Sequence, residues 1–381
     1  MISEGELVVR MAWDTQRVRA VNVVSTRPFA ASRVLCGRTP ADVVAMVPLL
    51  FSVCGQAQRA AAATALAAAG ATETAGNGTM NEFGVMLETV QEYLQRLLID
   101  WPQVMGRKPV APPVAVARRH IAAMARPADG VPTLSGSGEA VAALVAIAAE
   151  SVYGASPSQW LAIDSADALR AWIRRGATLP AVLLGELIEQ MPQLGCSDVA
   201  PMPPAGRDAL IAAVLPAMSS EPGFASMPTW NGKPVETGAL ARMRSHPLVA
   251  ALVVHCGNAV ATRMVARLVE LATLLQDLAR GPGAQHEPPR VQGFALELGE
   301  GLAAVQTGRG LLLHRVRADR GHVTSYQIVA PTEWNFHPDG ALARGLAGLA
   351  AHDEAALKYR AELAVQALDP CVASRIEIVH A

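Results

Sequence analysis

From residue 80 to residue 281 the apolar residues recur at helical spacing, and only toward its two ends does the chain fall into the period of two that strands need. Phe83, Met86, Leu87, Val90, Tyr93, Leu94, Leu97 and Leu98 mark one face of a helix over 80–100, ended by Pro102. Further helices are predicted over 112–125, 138–152, 166–175, 180–190 and 206–218, parted by Pro/Gly/Ser loops. The most apolar helical run lies between Pro247 and Leu275. It carries His255, Asn258, Arg263, Arg267 and Glu270, too many polar groups for a bilayer span.

The ends read differently. Residues 6–13 and 17–26 flank the polar Asp14-Thr15-Gln16 as a hairpin, with Trp13 and alternating valines on one face. Thr39, Pro40 and Asp42 form a helix start, as N-cap, first helical residue and first-turn acid. That helix is expected to reach about Gly70, bent or broken near Pro48, and its alanine-rich half from Arg59 to Ala69 permits close packing. Residues 71–79 read as a loop, and 282–292 as a connector rich in Pro and Gly. A second hairpin is predicted from 310–317 and 322–330 around Asp319-Arg320-Gly321, followed by helices over 338–351 and 353–366. The expected fold class is α+β, mainly helical, with small β-hairpins near both ends that lie together. One domain spans 1–381, made of an N-terminal part (1–70), a helical body (80–281) and a C-terminal β/α segment (293–381).

Half of the 381 residues are hydrophobic and 17% are charged, which marks a folded chain. A net charge of −1 gives no electrostatic reason to expect nucleic acid or an anionic membrane. The acidic start, Met1 to Glu6, lacks the basic and apolar regions of a signal peptide, so a soluble, cytoplasmic protein is expected. Cys36, Cys54, Cys196, Cys256 and Cys371 form no CxxC pair, which points to free thiols or metal ligands. His255-Cys256 is not a metal pair, because neighbours on a helix diverge by about 100°. Cys54, in Val53-Cys54-Gly55, and Cys371, in Asp369-Pro370-Cys371, stand in specified settings near opposite ends. Brought together they would make a two-sulfur site for a soft transition metal; kept apart they are small buried hydrophobes. Gly299-Glu300-Gly301 and Gly308-Arg309-Gly310 make no phosphate-binding loop, and no Ser-His-Asp arrangement stands out.

Five short elements carry a resemblance, in order. Leu35-Cys36-Gly37-Arg38-Thr39-Pro40 is similar to LxGRDP, and Gly232-Lys233-Pro234-Val235-Glu236-Thr237-Gly238-Ala239-Leu240-Ala241-Arg242 to GKPxExGPLAR. Arg309-Gly310-Leu311-Leu312-Leu313-His314 resembles RGxLxH, and Tyr326 to Asn335 resembles YQIVxPTxWN. Asp369-Pro370-Cys371 matches the first half of DPCxxC. Together they resemble the large subunits of nickel–iron hydrogenases. That family holds nickel, and an iron bearing CO and cyanide, on four cysteines in two pairs.

The departures from the pattern set the expected function. Aligned without gaps, Phe51 falls at the first N-terminal cysteine, Cys54 at the second, and Gln58 where the family has a histidine. Ser374 replaces the last cysteine, and the acidic N-terminal element is not recognisable. A serine hydroxyl is harder than a thiolate and un-ionised, so two sulfurs remain and nickel is not expected. Two thiolates can still hold an iron whose CO and cyanide ligands fill most of its coordination sphere. The resemblance implies Cys54 and Cys371 as its ligands, with Arg309 donating to a cyanide and His314, Gln58 and Ser374 nearby. This is similar to the accessory HupK/HoxV-type proteins of the family. It implies a non-catalytic scaffold or chaperone in hydrogenase maturation, transiently holding an Fe(CN)2CO unit. The implied partners are maturation chaperones and the immature large subunit. Two alternatives are a metal-free structural relative that binds protein or quinone, and a degenerate hydrogenase with residual redox activity. The missing acids, candidates for a proton relay, argue against the last.

Overall fold

The computed structural model describes residues 5–27, 29–71, 78–125, 137–281 and 289–380. The connector over 282–292 therefore falls largely outside the described residues. Its far end is not a loop: Arg290 is buried and Val291 opens a strand.

Two sheets frame the helices. The first has the order β2-β1-β7, with β1 (Glu6–Trp13) antiparallel to β2 (Val18–Ser25) and parallel to β7 (Ala373–His380). Alternation in β1 drives Leu7, Val9, Met11 and Trp13 into the main core. The second is an antiparallel meander of β3 (Val291–Ala295), β4 (Glu300–Thr307), β5 (Gly310–Asp319) and β6 (His322–Val329). Both predicted hairpins are present, but they lie in separate sheets rather than together. Arg320 and Gly321, both at positive φ, make the tight turn between β5 and β6.

The second sheet is covered on both faces. Leu302, Ala304, Leu311 and Leu313 meet one apolar cluster, while Ala303, Val305, Leu312 and Val316 meet another, built around the alanine helix. That N-terminal stretch is α1 (Pro40–Leu50), a 3-10 turn over Ser52–Cys54, and α2 (Gly55–Ala68). Thr39 caps α1 as predicted, accepting from the Asp42 amide at 3.2 Å. The break falls at Phe51, just beyond Pro48, and sets Cys54 at the head of α2. Small residues let α2 lie almost on the sheet. A β-carbon on Gly301 would come within 2.2 Å of the Ala65 carbonyl oxygen, and one on Gly293 within 2.7 Å of Thr64.

The helical body runs α3 (Gly78–Gln95), a π turn over Arg96–Asp100, α4 (Trp101–Val104), α5 (Ala111–Ala125) and α6 (Ser137–Ala148). It continues with α7 (Pro157–Trp160), α8 (Ala166–Arg175), α9 (Leu179–Gln190), α10 (Arg207–Ser220), α11 (Ala239–Met243), α12 (Pro247–Cys256) and α13 (Val260–Ala279). The apolar run from Pro247 is two helices, divided at Gly257, whose φ of +64° ends α12. Helix α13 is buried nearly all round, its Arg263 and Glu270 held in ion pairs with Glu236 and with Arg242 and Arg290. Helices α14 (Pro331–Asn335), α15 (Ala341–Leu346) and α16 (Glu354–Leu368) then lead to β7. Among the described residues no helix is long and apolar enough to cross a membrane.

Candidate functional site

Two chain segments that are far apart in sequence deliver the two sulfurs. Cys54 leaves the 3-10 turn just before α2. Cys371 follows Asp369, which ends α16 in the left-handed region at φ +55°, and Pro370, which cannot continue a helix. The Cys371 amide donates to Thr332 Oγ1 at 2.9 Å. Both side chains are buried, 5% and 7% exposed, and share a hydrogen bond.

That hydrogen bond divides the charge. The contact from Cys54 holds the Cys371 thiol below its ordinary value against burial, helped by Arg309, Arg27 and the Thr332 hydroxyl. Its counterpart rises: the bond to Cys371, then burial, pushes the Cys54 thiol well above its ordinary value. The two sulfurs thus compete for one proton, and the neighbouring cations favour a single negative charge on the pair.

Arg309 lies in the hairpin between β4 and β5, where the Thr307 hydroxyl accepts from the Arg309 and Gly310 amides at 3.1 and 3.2 Å. Its guanidinium pairs with Glu92 and reaches Asp369 at 3.4 Å. Asp369 is shared: Arg96, from the π turn, holds it at 2.6 Å and Arg267 approaches to 4.0 Å. Burial would raise Asp369, and these three arginines outweigh it, holding the carboxyl below its ordinary value. Asn335 fixes the wall, accepting from the Thr237 amide at 2.8 Å and donating to the Arg309 carbonyl at 3.0 Å.

Behind Cys54, Gln58 donates from Nε2 to the sulfur at 3.8 Å and lies 2.9 Å from His314 Nε2. His314 sits in the middle of β5 on the face toward α2, fully buried, with Tyr326 OH 2.7 Å from Nδ1. Burial holds its imidazole neutral, down at about 3.

Sequence reasoning placed Cys54, Cys371, Arg309, His314 and Gln58 near one another, and the structure brings these five together. Ser374 is the correction. It is exposed on β7, at the rim of a surface cleft with Lys358 and Glu362, because the chain leaves the buried site after Val372 and opens β7 with three exposed residues. The acids are a second correction. Three glutamates within electrostatic reach of Cys371 were missed: Glu88, Glu92 and Glu333. Burial raises them to about 7, 8 and 7. Glu88 also caps α2, accepting from the Gln56 and Ala57 amides at 2.8 and 3.0 Å. The four-residue spacing of Glu88 and Glu92 on one face of α3 was the available signal. Cys36 is exposed. His255 is exposed and Cys256 buried, as their divergence on α12 requires. Among the described residues no group of three or more His, Cys, Asp or Glu side chains gathers to hold an ion.

Comparison with known proteins identifies the family. Residues 246–376 match the nickel-dependent hydrogenase family. The chain is 33% identical to the hydrogenase expression/formation protein HoxV of Cupriavidus necator, over 94% of this chain and 93% of that one. The chain belongs to the hydrogenase expression/formation branch of that family. The hydrogenase expression/formation protein HupK of Azotobacter vinelandii is likewise 33% identical, over 99% of both chains. In structure, the nickel–iron–selenium hydrogenase of Desulfovibrio vulgaris Hildenborough superposes with a TM-score of 0.60 at 16% identity, covering 94% of each chain. The Desulfomicrobium baculatum hydrogenase gives 0.55 at 17% identity, covering 95% of each. These two likenesses establish the fold, the α+β arrangement expected from the sequence.

Proposed function

We propose that this chain is a non-catalytic factor of nickel–iron hydrogenase maturation, carrying an iron–carbonyl–cyanide unit on Cys54 and Cys371 for transfer to an immature large subunit. The observation that carries this reading is the buried, hydrogen-bonded thiol pair beside Arg309. Relatives named as hydrogenase expression/formation proteins support the maturation role.

The donor set fits such a cargo. The Cys371 thiol is held below its ordinary value, which favours the thiolate that a metal needs, and Cys54 would lose its proton on binding. With no third side-chain donor gathered among the described residues, a bare ion would be under-coordinated. An iron arriving with strong-field diatomic ligands needs two more donors and little else. Arg309 Nε, 3.4 Å from Asp369 Oδ1 and without a hydrogen bond among the described residues, would be the group to donate to a cyanide nitrogen. Nickel has no second pair of thiolates to enter, so the unit stays transferable. Maturation chaperones are the expected donors of the cargo and the immature large subunit its acceptor.

The test is an anaerobic infrared spectrum of the protein purified from cells with an active hydrogenase maturation system. Native protein should show CO and cyanide stretching bands that vanish in Cys54→Ala and Cys371→Ala. Absence of bands, with no iron above background, would replace this reading with a metal-free binding partner.

A further inference from the structure

Cys196 and Cys256 have no part in the site of Cys54 and Cys371, yet the fold sets them side by side. Cys196 closes the turn that follows α9, its amide donating to the Gln193 carbonyl at 3.1 Å. Cys256 is the last residue of α12, and Gly257 ends that helix at φ +64°. Two hydrogen bonds hold the segments together around the sulfurs. The Val260 amide donates to the Leu194 carbonyl at 2.8 Å, and Asn258 Nδ2 to the Val199 carbonyl at 3.1 Å. Arg263 Nη1 adds a third tie, donating to the Gly195 carbonyl at 2.9 Å.

The thiol of Cys196 lies against Gly257. A β-carbon there would be 2.4 Å from Cys196 Sγ, so the sulfur fills the space that any other side chain would take. This contact and the positive φ together require glycine. Adjacent α-carbons are about 3.8 Å apart, which leaves the Cys196 sulfur beside the residue next to Cys256. The two thiols also act on one another: burial first, then Cys196, raises the Cys256 thiol above its ordinary value, with Arg170 opposing. Their exposure differs. Cys196 is half-buried and open to solvent on one side, whereas Cys256 is 7% exposed.

We propose that Cys196 and Cys256 form a thiol–disulfide exchange site whose substrate is a low-molecular-weight disulfide of the glutathione class. Cys196, as the thiolate, attacks one sulfur of the small disulfide; that S–S bond breaks and one small thiol leaves. Cys256 then gives up its proton and attacks Cys196 Sγ; the mixed S–S bond breaks and the second small thiol leaves. Two protein thiols are oxidised to one disulfide while the small disulfide is reduced to two thiols, so protons and electrons balance. Closing the bond asks for rotation about the two side chains, and it ties the turn after α9 to the joint between α12 and α13. The site does not rest on Cys54 and Cys371 carrying iron.

The test is a disulfide map. Full-length protein, reduced and freed of reductant, is incubated with glutathione disulfide, alkylated in denaturant and digested with trypsin without reduction. Cleavage leaves Cys196 in peptide 176–207 and Cys256 in peptide 245–263. Native protein should yield these two peptides joined, and a reductant should part them. In Cys256→Ser, Cys196 should instead retain one glutathione, because no second thiol displaces it. In Cys196→Ser, Cys256 should be recovered alkylated. Recovery of both cysteines alkylated from native protein, or of Cys196 joined to Cys36, Cys54 or Cys371, would overturn the assignment. So would a stable glutathione on Cys196 of native protein, since Cys256 would then be out of reach. Native protein alone decides between these outcomes.

Discussion

Gln58 and His314 are joined by a hydrogen bond of 2.9 Å that ties α2 to the middle of β5. Because Gln58 turns its amide nitrogen to Cys54, its oxygen is left for the histidine. His314 therefore donates from Nε2 and accepts the Tyr326 hydroxyl at Nδ1. The neutral ring is built in. Its folded value of about 3 lies below the ordinary 6.5, so between these the unfolded chain takes a proton that the folded one refuses. Stability contributed by neutral His314 falls as pH drops through that window, by about 1.4 kcal/mol per unit. Urea unfolding at pH 7 and pH 5 should show about 2 kcal/mol less of this loss in His314→Gln than in native protein. Identical losses in the two proteins would show that His314 is not the group excluded from protonation.

The thiol pair makes a spectroscopic prediction. Ultraviolet thiolate absorbance should rise through a transition below the ordinary thiol range in native protein, and that transition should be missing in Cys371→Ala. In Cys54→Ala the transition should move upward, because the largest influence holding Cys371 down is the hydrogen bond from Cys54. A transition unchanged by loss of Cys54 would mean that the two sulfurs do not share a proton.

Asp369→Asn isolates charge from backbone, because asparagine also tolerates the left-handed conformation found there. Arg96, Arg267 and Arg309 would lose the carboxylate they share, as in a broken buried ion pair, at a cost of about 3–5 kcal/mol. A denaturant midpoint within error of the native one would rule out that electrostatic role.

Two glycine substitutions should act with opposite sign. Gly301→Ala drives a methyl into the α2 backbone and should destabilise by about 1–3 kcal/mol. Gly138→Ala lies on an exposed helical turn with nothing within 4 Å and should stabilise by about 0.4–1 kcal/mol. Matched urea titrations of the two variants read the contrast directly.

The sequence disclosed what local pattern encodes. Helical spacing located α3, α8 and α9, the Thr39 cap located α1, and the turn at Asp319-Arg320-Gly321 located the β5–β6 hairpin. Strands β3 and β4 were hidden because β4 is covered on both faces, so its apolar residues run together instead of alternating. Strand β7 was hidden because parallel pairing with β1 is non-local and leaves no turn signature. At the site, motif order located Cys54, Cys371, Arg309, His314 and Gln58. The buried glutamates stayed invisible, since Glu88 and Glu92 look like solvated helix residues until Arg309 arrives from another element.

The parallel pairing of β7 with β1, from Glu6 opposite Ala373 to Trp13 opposite His380, also sets an order of events. Contacts so distant along the chain form late, since loop closure costs entropy before any packing rewards it. Cys371 lies two residues before that strand, and the groups that hold it, Thr332 at its amide and Arg96, Arg267 and Arg309 around Asp369, are also non-local. A partly folded chain has one sulfur in position and no second. Under the proposed function, a cargo that needs both thiols would bind only the fully folded chain.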